Sequence, residues 1–314
     1  MPSMVNAFKQ TFTNLTKLPA TQVQQWIKSF ETIICDADGV LWHFDKAIPG
    51  AAETFNQLQS SGRRCFVVTN NSGVTSDDLV KKANGFGIKL PEENMLTSAR
   101  AIASYLSSNK FQKKVYFIGE EGIGKELDKV GIKSFAVRGE MGGQAMHDFA
   151  KELQLDPEVG AIVVGKDDCF TVPAIIRASS YLQDPKVLFL GTCLDAAYPI
   201  GNKRVMVGAA AMIAAVKAIS GRRPLILGKP NPWMVKEQRT SGLIKPEKTL
   251  MIGDTVYTDM LFAHNNGFQS LFVGTGVSSV KDVEQLRHSG NKKHLTMVPD
   301  TYLPTLGHLK EFLA

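Results

Sequence analysis

Short apolar runs recur along the chain and alternate with amphipathic stretches of helical period. Each run is brief and continuously apolar, which is typical of a buried parallel strand. The runs occupy residues 32–35, 64–69, 115–119, 161–165, 187–191, 224–228, 249–253 and 270–274. The clearest amphipathic stretches occupy residues 50–60, 76–86, 143–153, 173–182, 207–219 and 232–241. Strands and helices in alternation predict an α/β protein built on parallel sheet.

The length of the chain favours more than one domain, with a single large α/β domain as the alternative. It has 314 residues, which is more than a single core usually holds. The stretch between Asn71 and Lys229 is far longer than one crossover needs, and much of it carries strands and helices of its own. We therefore predict three parts: an N-terminal segment and helix over residues 1–30, a core over residues 31–108 and 221–314, and an inserted α/β domain over residues 109–220.

Two carboxylates follow the first apolar run directly, in the stretch "DADGVLW" over residues 36–42. Side chains alternate along an extended chain, so Asp36 and Asp38 can project to the same side. Carboxylates this close repel unless a cation lies between them or one keeps its proton. A hard cation such as Mg²⁺ prefers oxygen ligands. One carboxylate can then act as a nucleophile and the other as general acid and base. Gly39 permits a tight turn whose backbone N–H groups can face an anion. Taken alone, however, the motif is more typical of an ordinary turn after a strand.

Polar side chains also follow two later runs. Thr69, Asn70 and Asn71 stand at the end of the run at 64–69, where a hydroxyl and exposed backbone amides can hold phosphoryl oxygens. Lys229 follows the run at 224–228 and can supply a point charge for phosphate. Both sets therefore suit an anionic phosphate group.

Two more carboxylates follow the run at 249–253. Asp254 comes directly after it, and Asp259 lies five residues further along. Asp254 suits a metal ligand, and Asp259 can orient Lys229 or a metal-bound water from behind. One polar patch of this kind is a turn, but four of them, each at a strand end, predict a single site.

These residues carry a family resemblance. The chain resembles a haloacid dehalogenase superfamily phosphatase, and within it the 4-nitrophenylphosphatase, phosphoglycolate phosphatase and pyridoxal phosphatase branch. The resemblance spans roughly residues 20–314. It rests on four motifs in order: "DADGVLW…IPGA" (36–51), "TNNS" (69–72), "GKPNP" (228–232) and "GDTVYTD" (253–259). It implies a Rossmann-like doubly wound parallel sheet core with an inserted α/β cap domain.

The resemblance also implies a reaction. Asp36 would be the nucleophile that forms an aspartyl-phosphate, and Asp38 would protonate the leaving group and then activate water. The cofactor would be Mg²⁺, held by the Asp36 carboxylate, the Asp38 backbone carbonyl and Asp254, with Asp259 in support. The phosphoryl group would be bound by Thr69, Asn70, Asn71 and Lys229. This assignment suits phosphoryl transfer, in which positioning and charge neutralisation supply most of the catalysis.

The substrate prediction is less direct, because the inserted region departs from the branch pattern. Lys166, in "VGKDD" (164–168), stands where relatives often have an aromatic residue. We expect small phosphomonoesters as substrates, phosphoglycolate-like ones first and then pyridoxal phosphate or aryl phosphates. Lys166 would face the leaving group and favour a second anionic group; the alternative is a solvated surface lysine.

The composition of the chain narrows the range of expected binding partners and cellular locations. The net charge of +6 is spread along the chain, and no zinc-finger spacing or basic helix indicates nucleic acid. No apolar stretch is long enough to span a membrane. The four cysteines form no CxxC pair, which is typical of a reduced, intracellular protein. The acid-free first 30 residues weakly resemble an organelle transit peptide but contain no Arg, so the cytoplasm is preferred. The family's caps often mediate dimers, so a homodimer through the cap is a further expectation.

Other functions stay open at this point. The same pocket could serve a non-catalytic, phosphometabolite-binding or regulatory protein, although such a protein would typically have lost Asp36 or Asp38. A protein phosphatase or a phosphomutase of the same superfamily would keep both aspartates. An NAD-dependent oxidoreductase is disfavoured because the glycine fingerprint is missing.

Overall fold

The computed structural model describes residues 8–139, 142–200 and 202–313. Its strands are β1 (Thr13–Asn14), β2 (Thr32–Cys35), β3 (Trp42–His43), β4 (Lys46–Ala47), β5 (Arg64–Thr69), β6 (Met95–Thr97), β7 (Lys114–Ile118), β8 (Ser134–Phe135), β9 (Val159–Val164), β10 (Leu188–Gly191), β11 (Ala197–Pro199), β12 (Val205–Val207), β13 (Leu225–Ile226), β14 (Thr249–Gly253), β15 (Gln269–Val273) and β16 (Thr301–Leu303). Its helices are α1 (Ala20–Lys28), α2 (Ala51–Ser60), α3 (Ser76–Gly85), α4 (Ser98–Ser108), α5 (Glu121–Lys129), α6 (Met146–Glu152), α7 (Val172–Tyr181), α8 (Ala209–Ser220), α9 (Lys236–Thr240), α10 (Leu261–Asn266), α11 (Val280–His288) and α12 (Lys292–Leu295).

The chain divides into two compact units, which we call the first unit and the second unit. The first unit comprises Met1–Thr69, Leu79–Leu96 and Lys229–Ala314. The second unit comprises Asn70–Asp78 and Thr97–Gly228. Most of the second unit is thus a single insertion in the sequence of the first. The predicted boundaries at 109 and 220 lie inside the second unit, and residues 1–7 of the predicted N-terminal segment lie outside the described residues.

A seven-stranded sheet forms the centre of the first unit, in the order β1-β16-β15-β14-β2-β5-β6. From β1 to β5 in this order, every neighbouring pair is parallel. Helices cover both faces. On β15, Leu271 and Val273 pack in one apolar cluster, while Phe272 between them packs in another. A strand buried on both faces reads as a continuous apolar run, which is why the runs at 32–35 and 249–253 are uninterrupted.

The second unit has its own parallel sheet of five strands, in the order β13-β10-β9-β7-β8. Tyr116 and Ile162 of this sheet pack with residues of α7 and α8 in one buried cluster. A separate antiparallel hairpin joins β11 and β12. The fold class predicted from the sequence, an α/β protein with a parallel-sheet core and an inserted α/β region, is confirmed.

All eight apolar runs form strands, but one of them lies in an unexpected sheet. The run at 224–228 was assigned to the core, and in the structure β13 pairs with β10 of the second unit. Its apolar composition could not distinguish the two sheets, because both contain short, continuously apolar strands such as β9 and β14. Among the described residues, no helix is long and apolar enough to cross a membrane.

Candidate active site

Asp36 directly follows β2, an inner strand of the first sheet. Strand β2 lies between β14 and β5, so its carboxyl end is flanked by the carboxyl ends of both neighbours. The backbone N–H of Asp36 still donates to Ile252 of β14, at 2.9 Å. The carboxylate then turns back to accept the N–H of Ala37, at 2.7 Å. Asp36 is 9% exposed, so its position is fixed by the sheet and its charge is largely removed from water.

A tight turn follows and holds Asp38 half-buried beside the strand end. Gly39 has a φ of +86°, in the left-handed region that favours glycine. A Cβ at this position would lie 2.7 Å from the Asp254 carboxylate. The glycine that the sequence marked as a turn residue is therefore needed twice, for the backbone conformation and for the space beside a carboxylate.

Lys229 lies between two of the predicted aspartates. Its Nζ is 2.7 Å from Asp36 Oδ1 and 2.7 Å from Asp259 Oδ1. The side chain is 2% exposed, and Asp259 is fully buried. Burial lowers the pKa of Lys229, but the carboxylates of Asp259 and Asp36 outweigh that effect and raise it overall. The lysine therefore stays charged and ties the two aspartates together.

Asp254 and Asp259 are brought together by an unusual turn. Asp254 follows β14, and residues Val256–Met260 form a π-helical turn, a feature often found at functional sites. This turn carries Asp259 back, so that its Oδ2 accepts the N–H groups of Asp254 and Thr255, both at 3.1 Å. The spacing of five residues in the sequence corresponds to one π turn.

The cluster carries more negative than positive charge. Oxygens of Asp36, Asp254 and Asp259 all lie within 4.8 Å of one another, and Lys229 supplies one compensating charge. Burial, followed by the charge of Asp259, raises the pKa of Asp254 to about 7. Burial and Asp259 likewise raise the pKa of Asp36, and the contact with Lys229 offsets only part of this rise. Three buried carboxylates and one ammonium leave excess negative charge that a divalent cation can neutralise. The donor atoms are all oxygens, which fits Mg²⁺.

The predicted phosphate-binding stretch spans the boundary of the two units in the sequence. Thr69 ends β5, beside β2, and is buried. Asn70 and Asn71 belong to the second unit. The Asn70 amide donates to Asp195 Oδ1 at 3.3 Å, and the Asn71 side chain accepts the N–H of Gly73 at 2.9 Å. Each asparagine side chain thus has a fixed partner within its own unit.

Lys166, the predicted specificity residue, lies in a loop after β9 of the second unit. Its ammonium forms a close ion pair with Asp168 of the same loop. Asp168 is held in turn, because its N–H donates to Glu120 at 2.9 Å. About a quarter of the Lys166 side chain is exposed. The lysine is therefore accessible but its charge is already partnered.

The sequence reasoning missed one loop and one side chain. The loop after β15 closes over Asp254, whose Oδ2 accepts the N–H of Val277 at 2.6 Å. A Cβ on Gly276 would lie 1.7 Å from the same oxygen. This loop shares the strand-end signature of the other motifs, since "FVGTG" is an apolar run followed by small and polar residues. The side chain is Trp42, whose indole N–H donates to Asp38 Oδ1 at 3.0 Å.

Several known proteins are similar to this chain in sequence. Residues 33–133 match the family model described as haloacid dehalogenase-like hydrolase, and residues 226–303 match a second one, described as HAD-hydrolase-like. Phosphoglycolate phosphatase 1A of Arabidopsis thaliana, a chloroplastic protein, is 35% identical over 88% of this chain and 78% of its own length. The glycerol-3-phosphate phosphatase of Rattus norvegicus is 32% identical over 93% of this chain and 94% of its own length.

A solved structure shows the same architecture. The 4-nitrophenylphosphatase of Thermotoga maritima superposes with a TM-score of 0.74 at 25% identity, over 90% of this chain and 97% of that one. These relatives are all named phosphatases, as the sequence resemblance implies. The resemblance is thus confirmed by both sequence and structure, and the chain belongs to the haloacid dehalogenase-like hydrolase family.

Proposed function

We propose that this protein is a Mg²⁺-dependent phosphoric monoester hydrolase that acts on small phosphomonoesters through an aspartyl-phosphate on Asp36. The observation that carries the proposal is the buried cluster at the carboxyl end of the first sheet. There Lys229 contacts Asp36 and Asp259, and Asp254 lies within 4.8 Å of both aspartates. A fixed nucleophile, a fixed cation and spare oxygen ligands are what phosphoryl transfer needs.

Each residue has a part in this reaction. The Asp36 carboxylate attacks phosphorus, and Lys229 steadies it and neutralises one phosphoryl oxygen. Asp38 gives a proton to the departing oxygen and later takes one from water. Thr69, Asn70 and Asn71 contribute hydroxyl, amide and backbone donors to the phosphoryl group.

The cation has a defined set of residues to hold it. We assign the Asp36 carboxylate, the Asp38 backbone carbonyl and Asp254 as ligands, with Asp259 in support. Bound there, Mg²⁺ would neutralise charge on the transferring phosphoryl group. The loop at Thr275–Val277 supports the site by fixing Asp254, since the Val277 N–H occupies Asp254 Oδ2. Such supporting contacts commonly set metal affinity.

The relatives' names and the second unit support the substrate class that we propose. Phosphoglycolate and glycerol 3-phosphate, named for two relatives, are small alkyl phosphates, and 4-nitrophenyl phosphate is an aryl phosphate. We rank phosphoglycolate-like substrates first, because Lys166 can favour a second anionic group, and pyridoxal phosphate or aryl phosphates next. The inserted second unit would act as the cap, through which a homodimer would form, and the cytoplasm is the expected location.

The experiment is phosphate release from a panel of phosphomonoesters, with Mg²⁺ or EDTA, by wild type and Asp36→Asn. Asn has the shape of Asp but is no nucleophile, so we expect a loss of at least about 10³-fold. EDTA should abolish the wild-type signal. Release that is equal in the variant, or none from any substrate by folded wild type with Mg²⁺, contradicts the proposal and favours the phosphometabolite-binding alternative.

A further inference from the structure

Trp42 contacts the general acid of the proposed reaction, although the sequence assigned it no role within the motif at 36–42. Its indole N–H donates to Asp38 Oδ1 at 3.0 Å. We propose that Trp42 is a positioning residue, which holds the Asp38 carboxyl in place to protonate the leaving group. The inference rests on the proposed function, and it extends that function by predicting which substrates depend on Trp42.

The turn after β2 fixes where Trp42 stands. The Gly39 N–H donates to the Trp42 carbonyl at 2.8 Å, and the Trp42 N–H donates to the Ala37 carbonyl at 3.2 Å. Trp42 also begins the short hairpin in which it pairs with Ala47. The chain thus returns on itself within four residues, which places the indole beside Asp38 through backbone bonds alone.

Packing then fixes the direction of the indole. The Trp42 side chain is fully buried. The Phe86 ring lies 5.9 Å from it, centre to centre, and the Lys82 ammonium lies 5.1 Å from the ring centre. A close-packed aromatic side chain has little freedom to rotate. Its N–H is therefore a rigid donor, unlike a hydroxyl or an amide on a flexible stem.

The bond from the indole gives the two oxygens of the Asp38 carboxyl different roles. Oδ1 accepts the indole N–H, and Oδ2 has no hydrogen-bond partner among the described residues. A protonated carboxyl donates from one oxygen and can accept at the other. In the first step the Asp36 oxygen bonds to phosphorus, the ester P–O bond breaks, and the Asp38 proton passes to the departing oxygen. Without the indole, the carboxyl can rotate and the proton is less often in line.

The basicity of the leaving group distinguishes a positioning role of Trp42 from a purely structural one. An alkoxide such as that of phosphoglycolate is strongly basic and needs the proton as it leaves, whereas 4-nitrophenolate is a weak base and needs it little. The parameter to measure is kcat/KM, because it covers the steps up to leaving-group departure and excludes phosphoenzyme hydrolysis. A purely structural loss would lower kcat/KM equally for both substrates.

The experiment compares Trp42→Phe, which keeps an aromatic ring and removes the donor, with Trp26→Phe. Trp26 is a matched control, because it is also fully buried and its indole N–H has no partner among the described residues. For Trp42→Phe we expect kcat/KM to fall at least about tenfold on phosphoglycolate and less than about threefold on 4-nitrophenyl phosphate. For Trp26→Phe the ratio of the two values should equal that of wild type.

Equal losses on both substrates in Trp42→Phe, or the same change of ratio in Trp26→Phe, overturn the inference while leaving the proposed function intact. Full activity of Asp36→Asn in the same assay overturns both. Should Trp42→Phe fail to fold, 3-benzothienylalanine at position 42 replaces only the N–H group by sulfur and is judged by the same ratio.

Discussion

Lys229 of the first unit and Lys114 of the second each lie between two carboxylates at similar distances. Lys229 is 2.7 Å from both Asp36 and Asp259. Lys114 is 2.9 Å from Asp156 and 2.5 Å from Glu158. The pKa of both lysines is raised. By distances alone, the two triads are equivalent.

Burial separates them. The Lys114 side chain is 32% exposed. Hydrogen bonds to Glu158 and Asp156 raise its pKa and outweigh the smaller, opposite effect of desolvation. The Lys229 side chain is 2% exposed, so burial works against its charge and only the neighbouring carboxylates keep it protonated. The buried triad also has a third carboxylate, Asp254, within reach. Water solvates the charges of an exposed triad. A buried triad with excess negative charge must instead bind a cation or a proton.

Replacing each lysine in turn should give the largest difference between the two triads. Lys229→Met leaves Asp36 and Asp259 buried without a counter-charge. We expect the free energy of unfolding to fall by about 3 kcal/mol and kcat/KM by about 10²–10³-fold. Lys114→Met leaves Asp156 and Glu158 solvated by water. The free energy of unfolding should therefore change little, and kcat/KM should not change. Urea unfolding and steady-state assays measure both, and similar losses in the two variants would contradict the role given to burial.

A smaller effect is expected from crowding the buried carboxylate. A Cβ on Gly276 would lie 1.7 Å from Asp254 Oδ2. Gly276→Ala should therefore displace Asp254 and raise the Mg²⁺ concentration for half-maximal activity at least about tenfold. Gly85→Ala is the control, because no atom lies within 4 Å of its added Cβ. An unchanged Mg²⁺ requirement in Gly276→Ala would show that this loop does not constrain the site.

The strands of the site could be predicted from the sequence, and the reason is physical. Parallel strands buried on both faces must be apolar throughout, and their polar ends must gather at one edge of the sheet. Asp36, Asp254 and Asp259 were predicted as one group for that reason, and the structure brings them together. Lys229 was predicted in the same group and contacts Asp36 and Asp259. However, β13 before it belongs to the other sheet, so the shared sheet edge does not account for its position. Gly39 was predicted as a turn residue, and its φ of +86° agrees.

Other features could not be predicted because they depend on packing. Strand β13 is as apolar as a core strand, yet it pairs in the second unit. Asn70 follows Thr69 in the chain, but its amide bonds to Asp195, which is far away in sequence. The bond from Trp42 to Asp38 depends on a turn whose geometry no periodicity reveals. Lys166 was expected to face the leaving group, and its partner Asp168 became visible only in the structure.

The stability of the folded protein should depend on pH through the buried carboxylates. The pKa of Asp254 is about 7 in the folded protein without metal, above the ordinary value of 3.8. Between these values the folded state binds more protons than the unfolded state, so stability falls as pH rises. In EDTA we expect the Tm to fall from pH 5 to pH 7. Added Mg²⁺ should raise the Tm most at pH 7 and above, where the carboxylates are charged. A stabilisation by Mg²⁺ that does not vary with pH would contradict the charge excess of the cluster.

The smallest effect is expected at Lys166. Its ion pair with Asp168 already neutralises most of its charge, so it should contribute modestly to substrate choice. Lys166→Ala should lower kcat/KM for phosphoglycolate by a few-fold, on the order of 1 kcal/mol or less, and leave 4-nitrophenyl phosphate unchanged. An unchanged ranking of substrates would remove Lys166 from the specificity assignment.

Capture of the phosphoenzyme tests the role of Asp36 as the nucleophile most directly. Wild type with Mg²⁺ and excess substrate is quenched in acid within one turnover, digested, and analysed by mass spectrometry. We predict a phosphoryl group on the peptide that contains Asp36, absent in Asp36→Asn and in EDTA. Rapid phosphate release with no phosphoryl group on Asp36 at any quench time would contradict the assignment of Asp36 as the nucleophile.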